Sequence, residues 1–468
     1  MIDLLPDGFK KKIQQKLLMV SISGIRAILP EGLTPEMLLQ LLHAFAAVTK
    51  KNIIVGNDGR STSPILERLI LGALAYYGKN IINLGIAPTP TIKAACNFYK
   101  VDAGIIITAS HNPIEWNGLK FLKSGGYFFD QEDLIKMFRA ISKDFPYPKK
   151  LENTVNSFDG IEKHIESIAK KIPNIEAIRE KKYKVLIDPV NSSGVYAIPK
   201  LLEFLNCEVI QIHSEANREF QRAPEPTPEN LKKFSKILKE KKVNVGFALD
   251  PDGDRLVCGS ATTGSINEEY TLPLAFLGKK LTLSKPIKMV INYSTSTLLE
   301  KISKSEKHQV IRAPVGEVNV LNKIIQIKAK FGGEGNGGVI DPEIPSKGRD
   351  SLTGIFYILS AMAEKNATTI DDLLKELPPL YMGKLKVSIS LENRNEILNK
   401  VYDSIKKLQK KISYESTEDG YFIFFEDLSW NHFRFSNTEP IMRIIFEETS
   451  KKEFQKTYQF FQSLIQNL

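Results

Sequence analysis

At 468 residues, 42% of them hydrophobic and 25% charged, the chain has the balance of a folded globular protein and is too long for one core, which rarely extends past about 250–300 residues. Its net charge of +10 would suit an anionic partner, but many lysines fall in runs such as Lys10-Lys11-Lys12 and Lys239-Glu240-Lys241-Lys242, the pattern of solvated helix faces, and no basic stripe interleaved with aromatics marks a nucleic-acid surface. Cys96, Cys207 and Cys258 are an odd number without a Cys-x-x-Cys pair, which argues against a disulfide framework or thiolate zinc site and makes a reducing cytoplasm the expected setting.

The N-terminal segment mixes Asp3, Asp7 and lysines with apolar residues, and no run approaches the ~18 apolar residues of a membrane span, so neither a signal peptide nor a membrane segment is expected. Ser21 to Ala27 reads as a small-residue loop carrying Arg26. A helix is expected next, with Thr34 as N-cap, Pro35 at its first position and an end near Val48. A pattern then recurs. Asn52-Ile53-Ile54-Val55 is a strand, Gly56 to Ser63 a polar loop, Pro64 to Tyr77 a helix and Asn80 to Leu84 a second strand. The same order returns at Lys184–Asp188, a Ser-rich loop, a helix to Asn206 and Cys207–Ile212, and again at Met289–Asn292, Tyr293–Ser296, a helix and Gln309–Ile311. Three strand–loop–helix–strand units argue for three related α/β domains with largely parallel pairing and ligands at the C-terminal ends of the strands. Junctions are expected at Asp144–Lys150 and Gly259–Ile266. After Asn366 to Pro379 the pattern changes: Lys384–Leu391 is strand-like, a Lys-rich helix follows, and strands Tyr421–Phe425 and Trp430–Phe433 precede a terminal helix, which reads as a small α+β domain.

Four stretches carry chemistry. The apolar strand Gly104–Ile107 breaks into Thr108-Ala109-Ser110-His111-Asn112-Pro113, which displays a serine hydroxyl at a strand mouth; an ordinary turn is the alternative. Asp250-Pro251-Asp252-Gly253-Asp254-Arg255 closes the strand Val243–Leu249 with three alternate carboxylates, the hard oxygen donors Mg²⁺ takes. An EF-hand would need a bidentate Glu closing a twelve-residue loop and has none; an Asp-rich turn without metal is the other alternative. Arg255 offsets the negative charge or holds a phosphate oxygen. The glycine-rich stretch Phe331–Gly338 carries Glu334 and Asn336, suited to vicinal sugar hydroxyls, although such loops also serve as hinges. Arg434-Phe435-Ser436-Asn437-Thr438-Glu439-Pro440, with Arg443, offers guanidinium, hydroxyl and amide donors for a phosphate monoester, or is a polar hairpin corner.

In this order the four stretches resemble the α-D-phosphohexomutase superfamily, and the resemblance spans nearly the whole chain. Ser23-Gly24-Ile25-Arg26, Glu31 to Glu36, Glu115-Trp116-Asn117-Gly118-Leu119-Lys120 and Gly333 to Gly338 look most like its archaeal-type phosphoglucosamine mutase branch. The resemblance implies three mixed-sheet α/β domains and a smaller C-terminal α+β domain, four domains around a central cleft: a phosphoserine domain (1–150), a metal domain (151–262), a sugar domain (263–372) and a phosphate domain (373–468). It implies an isomerase that moves phosphate between C6 and C1 of a hexose, glucosamine by preference, with glucose or mannose phosphates as the alternative and a silent phosphosugar-binding paralogue or a metal-dependent phosphatase as more distant ones.

In that reading Ser110 is a phosphoserine that phosphorylates the free hydroxyl of the substrate, and the hexose 1,6-bisphosphate turns end for end before returning its other phosphoryl group. Mg²⁺ sits on Asp250, Asp252 and Asp254 with an oxygen of phospho-Ser110. Arg26 and Lys120 balance charge beside that phosphate. Lys120 is the candidate for proton transfer and His111 its rival. Arg255, Glu334 and Asn336 hold the substrate, and Arg434, Ser436, Asn437, Thr438 and Arg443 its distal phosphate. Monomer and homodimer are both compatible, with no nucleic-acid or membrane partner. Three positions depart from the family pattern: Ala27 stands where glycine is usual, Pro314 where many members have lysine, and Gly338 where several bacterial branches end the sugar loop in histidine.

Overall fold

The computed structural model describes residues 1–141, 147–148, 150–388, 394–406, 410–435 and 441–466. Contacts divide the chain into two units, Met1–Ser284 with Asn336–Leu374, and Lys285–Gly335 with Lys375–Leu468.

The first unit begins with a mixed sheet whose strands lie in the order Leu18–Ser21, Gly24–Ile28, Trp116–Lys123, Ala103–Ile107, Asn52–Asn57, Asn80–Ile86, Val155–Ser157. Asn52–Asn57 runs parallel to both neighbours, and Trp116–Lys123 antiparallel to both of its own. Period-two alternation sends Ile53, Val55, Ile105 and Ile107 to one face, under Leu41, Phe45 and Ile70, and Ile54 and Ile106 to the other, against Ile92 and Ala95. A sheet covered on both faces needs such β-branched runs. The helix Pro35–Val48 starts as expected, Thr34 accepting a hydrogen bond from the Met37 amide. The expected Ser21–Ala27 loop is instead mostly strand. Leu18–Ser21 and Gly24–Ile28 pair with Ser21 opposite Gly24, Ile25 and Ala27 go into the core, and Arg26 rides on the other face of a strand. Small residues hide the alternation.

A second sheet sets Lys184–Asp188 between Glu208–Gln211 and Val245–Leu249, all parallel. Leu256–Ser260 is added antiparallel. Gly259–Ile266, expected as a junction, folds into this sheet as a hairpin with Gly264–Ser265. The Asp144–Lys150 junction lies largely outside the described residues. The helix Ser351–Glu364 is buried from Ser351 to Ala363 and packs on Thr271–Lys280, which explains its all-round apolar sequence. Its N-cap, Asp350, accepts from the Leu352 and Thr353 amides.

In the second unit Lys288–Asn292 lies between Gln309–Ala313 and Phe331–Glu334, all parallel. The C-terminal sheet is antiparallel, in the order Tyr381–Ser388, Ile441–Glu448, Trp430–Phe435, Tyr421–Phe425, Ile412–Ser416, covered by Arg394–Lys406 and Lys451–Gln466 through Val401, Ile405, Phe446 and Phe461. Two of its strands escape sequence reading. Ile412–Ser416 is an exposed edge, and Ile441–Glu448 is a central strand buried on both faces from Ile444 onward, so neither alternates. Buried Glu447 binds the two parts of this unit, accepting from the Thr297 amide at 2.7 Å, Lys301 Nζ at 3.0 Å and Trp430 Nε1 at 3.0 Å.

Nearby, His432 is fully buried. Its Nδ1 lies 2.8 Å from Ser294 Oγ, and its Nε2 donates to the Asp419 carbonyl at 2.7 Å. Burial pushes its pKa down to about 4. The native state therefore prefers the neutral ring, and the stability this confers is complete above the unfolded pKa of about 6.5 and is lost as pH falls toward 4. Denaturant titrations between pH 7 and 4 are expected to show a component of about 3 kcal/mol that is missing in His432→Gln; parallel pH profiles for the two chains would contradict it.

Among the described residues no helix is long and apolar enough to cross a membrane. All three cysteines are free.

Candidate active site

Ser110 stands just past the C-terminal end of Ala103–Ile107 with φ +53°, a left-handed backbone that costs a non-glycine residue about 1–2 kcal/mol. Thr108 Oγ1 holds it, accepting from the Ser110 amide at 2.8 Å while donating to Asp58 Oδ2 at 2.6 Å. Ser110 Oγ lies 3.3 Å from His111 Nδ1. The Arg255 guanidinium, followed by burial and by Arg26, keeps the His111 pKa well below the usual histidine range. These neighbours hold His111 as the uncharged imidazole. Arg26 donates to Asn112 Oδ1 at 2.8 Å, on the same loop.

The Asp-rich loop follows Val245–Leu249. Gly253, at φ +65°, turns the chain so that Asp250 Oδ1 accepts the amides of Asp254 and Arg255 at 3.2 and 3.0 Å. Oxygens of Asp250, Asp252 and Asp254 come within 4.8 Å of one another, and all three residues are buried. Asp250 Oδ2 and Asp252 Oδ1 are buried without a hydrogen-bond partner. Burial, then the Asp252 and Asp254 charges, drive the Asp250 pKa well above the ordinary carboxylate range. Burial also pushes Asp252 upward, but Lys120 outweighs it and holds this carboxyl low. Converging, partly unsatisfied, mutually repelling carboxylates in a buried site are what a divalent cation would neutralise; the donor set fits Mg²⁺.

Lys120, on the strand Trp116–Lys123, reaches Asp252 Oδ2 at 2.5 Å, so the strand that follows the serine loop meets the Asp-rich loop directly. Arg255 turns to Glu225, donating at 2.9 Å. Arg349 belongs to none of the four sequence stretches, yet it meets two of them, the Asp-rich loop and the end of the glycine-rich stretch. Its Nη2 donates to Asp254 Oδ2 at 2.6 Å, and a Cβ on residue 338 would come 2.3 Å from Arg349 Cδ. The aliphatic stem of Arg349 thus occupies the space that a side chain at 338 would need, which gives the departure at Gly338 a physical reason. Asn336 Oδ1 is buried beside it, without a hydrogen-bond partner.

In the second unit, Glu334 ends the strand Phe331–Glu334 rather than standing in a free loop, and its Oε1 accepts from Asn292 Nδ2 at 2.8 Å and the Gly316 amide at 3.0 Å. Arg434 also lies on a strand. It donates from Nε to Asp419 Oδ1 at 3.0 Å and sits directly opposite Arg443 in the register. Like charges in facing positions repel, and Asp419 offsets that of Arg434. Ser436, Asn437 and Thr438 lie outside the described residues.

Comparisons with known proteins agree over the length of the chain. The models for phosphoglucomutase/phosphomannomutase α/β/α domains I, II and III match residues 19–146, 162–263 and 272–381. A Thermococcus kodakarensis phosphoglucomutase/phosphomannomutase is 34% identical, with 93% of this chain and 95% of the relative covered. A phosphoglucosamine/phosphogalactosamine mutase from Sulfurisphaera tokodaii is 31% identical over 91% and 94%. A crystal structure of a phosphoglucomutase/phosphomannomutase family protein from Burkholderia thailandensis superposes with a TM-score of 0.78 at 22% identity, covering 96% and 98%.

Proposed function

Because the chain belongs to the phosphoglucomutase/phosphomannomutase family, it is an enzyme of the phosphomutase class, and we propose that it interconverts the 6- and 1-phosphates of glucosamine through a phosphorylated Ser110 and a hexose 1,6-bisphosphate. The observation that carries the phosphoryl-transfer chemistry is the 2.5 Å contact of Lys120 with Asp252, between the strand beside the serine loop and the three-carboxylate loop, with His111 in the field of Arg255, Arg26 and Asp252; the choice of glucosamine is supported by the 31% identical phosphoglucosamine/phosphogalactosamine mutase.

In the forward direction the substrate hydroxyl attacks phosphorus on Ser110, the Ser110 Oγ–P bond breaks, and the hydroxyl proton passes to a base. His111, neutral and beside Ser110 Oγ, is the group placed for that proton; Lys120, an ammonium paired with Asp252, takes this role only after giving up a proton of its own. The reoriented bisphosphate then returns its other phosphoryl group to Ser110, so enzyme and phosphate balance over the cycle. Mg²⁺ on Asp250, Asp252 and Asp254 would supply Lewis-acid neutralisation of phosphoryl charge. Arg26, Lys120, Arg255 and Arg349 add fixed positive charge, and such positioning and neutralisation are most of what phosphoryl transfer requires. The family resemblance assigns Arg434 and Arg443 to the distal phosphate and Glu334 and Asn336 to the sugar hydroxyls.

Glucose and mannose phosphates are the second reading, favoured by the name of the 34% identical relative. Coupled assays on glucosamine, glucose and mannose 1-phosphates separate the two. The expected result is a kcat/KM for glucosamine phosphate at least about tenfold above the others, a difference of about 1.4 kcal/mol; a preference for glucose or mannose phosphate would reverse the assignment.

A further inference from the structure

Arg60 is completely buried, and its guanidinium bonds neither the carboxylates of the Asp-rich loop nor Ser110 Oγ. Instead all five of its N–H donors go to the serine loop, the residues just after it and Asp58. Nε donates to Asp58 Oδ2 at 2.9 Å. Nη1 donates to the carbonyls of Pro113 and Trp116 at 2.7 and 2.9 Å. Nη2 donates to the Asn112 carbonyl at 2.9 Å and to the Ser110 carbonyl. Asp58 in turn accepts the Thr108 hydroxyl, and Thr108 accepts the Ser110 amide. Both main-chain groups of the left-handed residue are therefore fixed from one ion pair, the N–H through Thr108 and the C=O through Arg60.

We propose that Arg60 is the positioning residue for the nucleophile: it folds the carbonyls of residues 110–116 around one guanidinium and so holds Ser110 in the backbone conformation that presents its hydroxyl. The proposal rests on the reading of Ser110 as phosphoryl carrier. A planar fork is needed, because an ammonium has three donors and cannot reach four carbonyls and a carboxylate together. The clamp is braced from behind, where the Arg60 guanidinium lies 5.0 Å from the Phe220 ring centre and the Asn217 amide donates to the Gly59 carbonyl at 2.8 Å. A nucleophile displaced by about 1 Å loses about 10²-fold in rate without losing its binding groups, so the signature of such a residue is a fall in kcat at constant KM.

The test uses the full-length enzyme with Mg²⁺ and its best hexose phosphate. Peptide mass mapping of the parent chain first asks whether Ser110 carries phosphate; its absence would defeat the carrier reading itself, whatever Arg60 does. Given phosphate there, Arg60→Lys is expected to lower kcat about 100-fold and Thr108→Val about tenfold, each with KM within about twofold and with slower single-turnover transfer from phospho-Ser110. Folded Arg60→Lys with kcat within about threefold of the parent, or a loss that only tracks the folded fraction, would overturn the proposal. If Arg60→Lys does not fold, Thr108→Val decides: parental kcat in that variant overturns the proposal, and the kcat-only loss supports it.

Discussion

Ser110→Ala is expected to lower kcat by about 10⁴-fold or more, with hexose phosphate binding kept within about threefold of the parent chain. The fold has little reason to object. The main-chain bonds of residue 110 run to Thr108 and Arg60 and survive the change, and alanine bears the left-handed backbone at a cost similar to serine's. What is lost is the oxygen that carries the phosphoryl group, and neither His111 nor Lys120 replaces it in the scheme. Arg434→Ala provides the contrast. Its guanidinium lies on a separate strand opposite Arg443, so its removal is expected chiefly to raise KM. Steady-state kinetics on both variants, with titration calorimetry for binding to the inactive one, makes the comparison. Turnover in Ser110→Ala within about tenfold of the parent, or equal losses of both parameters in both variants, would sink the assignment of roles.

The parts of this arrangement that announce themselves in sequence are those where a strand must end and a special loop begin. Ile105-Ile106-Ile107 before Thr108 and Val245–Leu249 before Asp250 are buried runs whose abrupt polar ends have few explanations. Arg60 and Arg349 announce little, because, apart from Asp58 two positions before Arg60, their partners are main-chain carbonyls or a carboxylate that only the folded chain brings near: Arg60 meets Ser110 across 50 positions and Arg349 meets Asp254 across 95. Gly338 is the reverse case. It stands out in sequence as a missing histidine, and only the passage of Arg349 Cδ explains why no side chain fits there. Arg26 does bond the serine loop, but from a strand, since Ser21, Ser23 and Gly24 imitate a loop where a tight hairpin joins two strands. In the C-terminal sheet, burial on both faces of Ile441–Glu448 removes the period on which strand recognition depends.

Two of the three carboxylates of the Asp-rich loop are expected to behave differently when neutralised one at a time, and that difference is the strictest check on the cluster. Asp250→Asn keeps the acceptor for the Asp254 and Arg255 amides, removes one of three repelling buried charges and gives its new N–H groups carboxylate neighbours. The metal-free variant should therefore be at least as stable as the parent, although turnover falls about 10²–10³-fold, or about 3–4 kcal/mol in the barrier. Asp252→Asn removes the partner of Lys120, leaving a buried ammonium without its countercharge, which costs about 3–5 kcal/mol in the metal-free chain. Thermal melts with Mg²⁺ and with a chelator read both effects, since a ligand bound only by the folded state stabilises the parent by about 2.7 kcal/mol at a hundredfold excess over Kd. That Mg²⁺-dependent rise should vanish in both variants. If it persists in Asp250→Asn, or if that variant is as active as the parent, the cluster is a charge-balanced turn in which Lys120 and Arg349 already provide all the neutralisation it needs, and phosphoryl charge must be met by the arginines alone.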